Sequence, residues 1–236
     1  MFAPMRVALL IPAAGSGSRL GYREPKALVD VGGASLLRRT LERLAVAATF
    51  VETVVLVPAG AVSACEAAVA EPPAALGRCV VRVGGATRQE SVRRGLIALS
   101  SDAEIVCVHD AARPLAAAVT VREVLSRAQR SGAATAAARP TDSVRIEEGE
   151  ATRALDRGCL WLVETPQAFR RELLERAHRE AERDRISATD DASLVEGLGQ
   201  RIEVVESAGP NFKVTVEADL VLVREMLARE ARAARR

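Results

Sequence analysis

The sequence predicts an α/β fold: a Rossmann-like, mostly parallel sheet flanked by helices, with a protruding β-arm. Three observations carry this. Short β-rich runs alternate with helical patterns as far as Ala138. Those runs are nearly continuous in apolar residues, the pattern of strands covered on both faces. A polar, turn-rich stretch then breaks the rhythm, as a hairpin leaving the sheet would.

The elements follow in order. VALLI at 7–11 is the first strand, leading into a glycine-rich segment, Pro12–Lys26. Leu36, Leu37, Thr40, Leu41 and Leu44 share one stripe, which predicts a helix over 35–47. TVVLV at 53–57 and CVVRV at 79–83 are the next strands. Thr87 and Glu90 have capping-box spacing and open a helix through Leu99. EIVCVH at 104–109 is the fourth strand, Thr120 and Glu123 open another helix, and ATAAA at 134–138 is the fifth strand. Residues 139–158 are expected to form the arm, with SVRIE as its alternating strand. LWLVET at 160–165 returns to β character. Helices are expected at about 170–183 and 190–198, then strands RIEVVE and FKVT, then a helix from about Glu217. No internal repeat or long linker divides the chain, so residues 1–236 are expected to form one domain.

Composition narrows the function. Hydrophobic residues make up 49% of the 236 positions, enough for a real core. A net charge of +2 and 3% aromatics argue against nucleic-acid or membrane partners. Four cysteines without a CxxC pair and only two histidines argue against zinc and suit a reducing cytoplasm. Cys79 and Cys107 lie in apolar runs and are expected to be buried. The apolar run near the start is too short for a membrane span, and Pro12 interrupts it, so no signal peptide is expected. Of 33 basic residues only Lys26 and Lys213 are lysine, which draws attention to both.

Both lysines occur in loops beside strands. The first loop matches neither common phosphate motif. Gly15, Gly17 and Gly21 are one residue too widely spaced for a dinucleotide fingerprint. Lys26 follows proline and precedes alanine, so the P-loop fails too. What remains is a loop of small residues, whose backbone N–H groups can approach phosphate, carrying Arg19 and ending in Lys26. VHDAARP ends the fourth strand, where such sheets hold ligands, and Asp110 there suits Mg2+ or a hydroxyl. GGATRQES precedes a helix N-terminus and suits anion or base-edge contacts. GPNFKVT carries Lys213.

In this order PAAGSGSRLG…PK, GGATRQESV, VHDAARP, TDSV, LDRGCLWLVETPQAF, TDDASLVE and NFKVT span nearly the whole chain. The ordered set resembles the 2-C-methyl-D-erythritol 4-phosphate cytidylyltransferases of the non-mevalonate isoprenoid pathway. That resemblance implies transfer of CMP from CTP to methylerythritol 4-phosphate with release of pyrophosphate, assisted by Mg2+ or another divalent cation. It implies that Ala13, Ala14, Gly15, Ser16, Gly17 and Ser18 wrap the triphosphate, with Arg19 and Lys26 at the reacting α-phosphate. Gly84, Gly85, Arg88 and Ser91 would surround the cytidine, and Asp110 and Ala111 would meet ribose, metal or substrate. Arg157 and Lys213 would hold the acceptor phosphate, with Ser143, Thr165 and Thr189 lining the acceptor pocket. The arm would be exchanged in a homodimer, so that Arg157 serves the neighbour's site.

Two positions depart from the family pattern. Ser143 stands where threonine is expected, and the residue after Lys26 is alanine rather than glutamine. The nearest rival is a cytidylyltransferase for another polyol phosphate, such as ribitol 5-phosphate. A silent nucleotide-binding protein is the rival from another class. Retention of Arg19, Lys26, Asp110, Arg157 and Lys213 together argues against it.

Overall fold

The computed structural model describes residues 5–15 and 25–233. Among these residues nine strands run in chain order as β1 (Val7–Pro12), β2 (Glu52–Val57), β3 (Arg78–Val83), β4 (Ile105–Val108), β5 (Ala133–Ala138), β6 (Val144–Glu148), β7 (Ala151–Leu155), β8 (Leu162–Arg170) and β9 (Glu203–Glu206). The helices are α1 (Leu36–Ala47), α2 (Val62–Ala68), α3 (Arg88–Ala98), α4 (Ala118–Ser131), α5 (Arg171–Asp184), α6 (Asp191–Glu196) and α7 (Glu217–Ala233). Seven strands form one sheet in the order β3-β2-β1-β4-β8-β5-β9. Only β8 runs antiparallel to its neighbours, β4 and β5.

The apolar strands are buried because helices cover both faces. Val7, Leu9 and Ile11 of β1 pack with Leu37, Leu41 and Leu44 of α1 and Val121, Val124 and Leu125 of α4. Ala8 and Leu10 point the other way, toward Val92 and Leu96 of α3 and Leu174 of α5. This period-two split explains why the strand reads as an unbroken apolar run. A smaller cluster seats α7 through Leu220 and Val223 against Val29, Val31 and Leu36.

β6 and β7 pair with each other in a two-stranded sheet outside the main one, with their side chains exposed or half-buried. This hairpin lies within the segment expected to leave the sheet.

Several details differ from the sequence reading. FKVT forms no strand. Residues 211–215 run as a loop because their partners are another loop and side chains: Val214 N–H donates to Ala112 O at 2.9 Å, and the Asn211 carbonyl accepts from Arg113 Nη1 at 2.6 Å. Thr120 does not cap a helix. α4 begins at Ala118, and the buried Thr120 hydroxyl instead accepts from Ala208 N–H at 2.9 Å. Glu123 bonds Arg127 one turn on, at 2.7 Å. α2 was not foreseen, and Cys79 is half-buried because β3 is an edge strand. Thr87 does cap α3, accepting from Glu90 N–H at 3.0 Å, while the Glu90 carboxylate takes the Ala86 N–H at 2.7 Å.

Candidate functional site

From β1 the chain builds outward to β2 and β3, then crosses to β4 on the other side of β1. That reversal opens a crevice beyond the carboxyl ends of β1 and β4, where doubly wound sheets bind ligands. A cleft of about 150 Å³ lies there. Ala13, Ala14 and Gly15 line it after β1, Arg88 and Ser91 from α3, and Asp110 and Ala111 after β4. Lys26 and Lys213, the chain's only lysines, line the same cleft.

Each wall has a local cause. Gly84 is needed for close approach: a Cβ there would meet Ser91 Oγ at 2.9 Å and Ala14 Cβ at 3.1 Å. Ser91, fully buried, accepts from Gly85 N–H at 2.9 Å and donates to Thr87 O at 2.9 Å, tying the glycine turn to the first turn of α3. Thr40 of α1 puts its hydroxyl 2.8 Å from Ala111 O. Asn211 donates to Thr165 O at 2.8 Å and to Glu164 Oε2 at 2.9 Å, which anchors the loop bearing Lys213.

The charges converge on Asp110. Its Oδ1 accepts from Arg88 Nε at 2.9 Å, and its Oδ2 lies 2.8 Å from Lys213 Nζ. Burial disfavours the Asp110 charge, but Arg88 and Lys213 outweigh it and hold the carboxyl well below its ordinary range. Arg88 also donates through Nη1 to Asp191 Oδ2 at 2.7 Å. Burial works against the guanidinium too, yet the two carboxylates keep it more firmly protonated than a free arginine.

A hydrogen-bonded chain fixes the loop beneath. Asp110 N–H donates to Thr165 Oγ1 at 3.0 Å, and the Thr165 hydroxyl lies 3.2 Å from His109 Nδ1. His109 Nε2 is 3.0 Å from the Arg113 carbonyl, which can only accept, so the ring proton sits on Nε2 and Nδ1 accepts from Thr165. Burial lowers the His109 pKa from 6.5 to about 4. The folded protein therefore refuses a proton that the unfolded chain takes below pH 6.5. Stability falls as pH drops from 6.5 toward 4, by roughly 3 kcal/mol across that window. Urea denaturation at stepped pH is expected to show this slope in the native protein and a flatter one in His109→Gln. Equal slopes would remove His109 as its source.

The remaining predicted residues fall elsewhere. Ser16, Gly17, Ser18 and Arg19 lie outside the described residues. Gly84 and Gly85 support the cleft wall without lining it. Thr165 is buried, with its hydroxyl engaged as above, and does not open onto the cleft. Ser143 and Arg157 sit exposed at the hairpin, where Arg157 Nη1 donates to Thr141 O at 2.5 Å. Thr189 is exposed beside a separate groove between α5 and α6. Thr40 was read only as part of a helical stripe, and Asn211, Gln167 and Asp191 were not singled out from the sequence, although NFKVT, TPQ and TDDAS contain these three.

Among the described residues no group of three His, Cys, Asp or Glu side chains is assembled to hold a metal. Among the described residues Asp110 is the only carboxylate lining the cleft, and its oxygens retain further lone pairs. One carboxylate fits a hard cation that takes its other ligands from phosphates and water, as Mg2+ does.

Comparison with known proteins gives a consistent picture. The model of the family IspD, 2-C-methyl-D-erythritol 4-phosphate cytidylyltransferase, matches residues 7–229. A protein of that name from Thermus thermophilus is 46% identical over 226 residues, covering 95% of this chain and 98% of its own. Another from Deinococcus radiodurans is 44% identical over 223 residues, covering 94% and 89%. The crystal structure of the Thermus thermophilus protein matches with a TM-score of 0.76 at 43% identity, over 94% of this chain and 98% of that one.

Proposed function

This chain belongs to the 2-C-methyl-D-erythritol 4-phosphate cytidylyltransferase family, and from that premise we infer how its residues divide the work. The reaction joins CMP from CTP to 2-C-methyl-D-erythritol 4-phosphate, giving 4-diphosphocytidyl-2-C-methyl-D-erythritol and pyrophosphate in isoprenoid precursor synthesis. An oxygen of the acceptor phosphate attacks the α-phosphorus, and the bond to the bridging oxygen of the β-phosphate breaks. The nucleophile is already anionic, so no general base is required. The protein must position two anions and stabilise the charge that develops between them.

The single observation supporting this division is the meeting of Lys26, Lys213, Arg88 and Asp110 at one cleft. In our reading Ala13–Gly15 and residues 16–18 wrap the triphosphate. Arg19 and Lys26 stabilise the α-phosphate. Gly84, Gly85, Arg88 and Ser91 shape the cytidine pocket. Lys213 orients the acceptor phosphate. Asp110 holds Lys213 before substrate arrives and offers an oxygen to Mg2+ or a similar divalent cation. Such a cation, held by Asp110, would supply positive charge that offsets the charge of the phosphates. A cytoplasmic location fits this chemistry, and among the described residues no helix is long and apolar enough to cross a membrane.

Arg157 and Ser143 do not line the cleft of their own chain. We therefore assign the segment 139–158 to a homodimer arm serving the neighbour's acceptor pocket, with the exposed Thr189 on the receiving side and the buried Thr165 holding the Asp110 loop from beneath. The arm and the strand after it leave Ile146, Leu162 and Val163 exposed, apolar surface that a second copy would cover. Mixing two inactive variants, Lys26→Ala and Arg157→Ala, tests this. Arm exchange predicts that mixed dimers regain one intact site each, so activity returns to roughly a quarter of the native value. No recovery after subunit exchange would mean that Arg157 serves its own chain, or serves neither.

A further inference from the structure

Only two histidines occur in the chain, and both are buried. His109 belongs to the loop beneath the cleft. His178, on α5, is 2% exposed and does not line the cleft. Its Nε2 lies 2.9 Å from Asp191 Oδ1. The other oxygen of Asp191 accepts from Arg88 Nη1, and Arg88 Nε is held by Asp110. Two carboxylates from different parts of the chain thus grip two nitrogens of one guanidinium. The third, Nη2, is buried and has no partner among the described residues. An orphaned buried donor is costly unless a ligand supplies the acceptor.

We propose that His178 is a positioning residue for nucleotide binding: through Asp191 it fixes the plane of Arg88, so that Nη2 is presented to an acceptor atom of bound CTP. This rests on the reading of the cleft as the CTP site. His178 is the only side chain donating to Asp191 Oδ1 among the described residues. Without that donor the carboxylate is free to turn toward Arg88 and engage Nη2 as well, in the bidentate arrangement that arginine favours. The donor meant for the nucleotide would then be consumed inside the protein. Leucine fills a similar volume but supplies no N–H, so packing and positioning can be separated.

The test compares His178→Leu and His178→Gln with the native protein. Two quantities are read: pyrophosphate release at varied CTP, and the rise in Tm that CTP causes without acceptor. His178→Leu is expected to raise KM for CTP roughly tenfold, the effect of one lost hydrogen bond to a charged group. It should shrink the CTP-induced rise in Tm and leave kcat and the acceptor KM nearly unchanged. His178→Gln, whose amide can still donate, should recover most of the loss. If His178→Leu does not fold, His178→Asn carries the same expectation, because its amide is too short to reach Asp191. Native KM and native CTP-induced Tm shift in a folded variant lacking the donor would overturn the proposal and leave His178 as packing only. A native protein that does not bind CTP would overturn the reading of the cleft and the proposal with it.

Discussion

Lys26→Ala is expected to lower kcat by about 10²–10³ while the protein stays folded. Lys26 opens a short 3-10 turn, Lys26–Leu28, directly after Pro25, which fixes the direction in which the chain enters the cleft. Its charge reaches across to Asp219 near the start of α7, whose carboxyl is held below its ordinary range. Burial opposes that shift, and the N–H groups of Val216 and Thr215 produce most of it. Lys26 therefore links the cleft it shares with Lys213 to the start of α7. Its removal should disturb the reacting phosphates more than the scaffold. An interaction made mainly in the transition state lowers kcat more than it raises KM. Lys26→Arg should not restore full activity, because a planar fork does not replace a compact ammonium. Native turnover in Lys26→Ala, measured by pyrophosphate release, would remove Lys26 from the chemistry.

Asp110→Asn should damage both stability and turnover. Asp110 is nearly buried and faces Arg88 at 2.9 Å and Lys213 at 2.8 Å. Removing its charge leaves the Arg88 guanidinium with one carboxylate, Asp191, instead of two, and leaves the 40%-exposed Lys213 without its buried partner, a loss on the order of 2 kcal/mol, below that of a fully buried pair. Urea denaturation should show that loss, and CTP should partly offset it by supplying negative charge. Turnover should fall by roughly 10²-fold, because Lys213 loses its anchor and the cleft loses the one carboxylate that lines it among the described residues. A variant of native stability and native turnover would mean that the Asp110 network holds neither the fold nor the site.

Strands β1, β2, β4 and β5 were legible because each is a short, mainly apolar run buried on both faces, and β3 was legible from its valines although its edge position leaves it largely exposed or half-buried. Leu36, Leu37, Thr40, Leu41 and Leu44 were predicted as one stripe and are all buried on α1. The antiparallel course of β8 was not legible. Its apolar run is broken by Thr165, Pro166 and Gln167, and nothing local shows that Gln167 is buried. Gln167 is satisfied only in three dimensions, donating to Glu164 O and Asp190 Oδ2 and accepting from Asp191 N–H. α2 escaped notice because VSACEAA has no clear stripe. Thr120 misled because its hydroxyl has a partner 88 residues away.

The site divides in the same way. Lys26, Lys213 and Asp110 were legible because rare lysines and an aspartate stood in loops at strand ends. The pairing of Arg88 with Asp191 spans 103 residues, and that of His178 with Asp191 joins two helices. No periodicity encodes such partners. They emerge once the sheet order brings α3, α5 and α6 to one face.

Pyrophosphate release with CTP and Mg2+ is the most direct measurement, run separately with methylerythritol 4-phosphate and with ribitol 5-phosphate. Release is expected with the first acceptor only, and a chelator should abolish it. Release with ribitol 5-phosphate alone would keep the nucleotidyl chemistry but contradict the acceptor assigned to this chain.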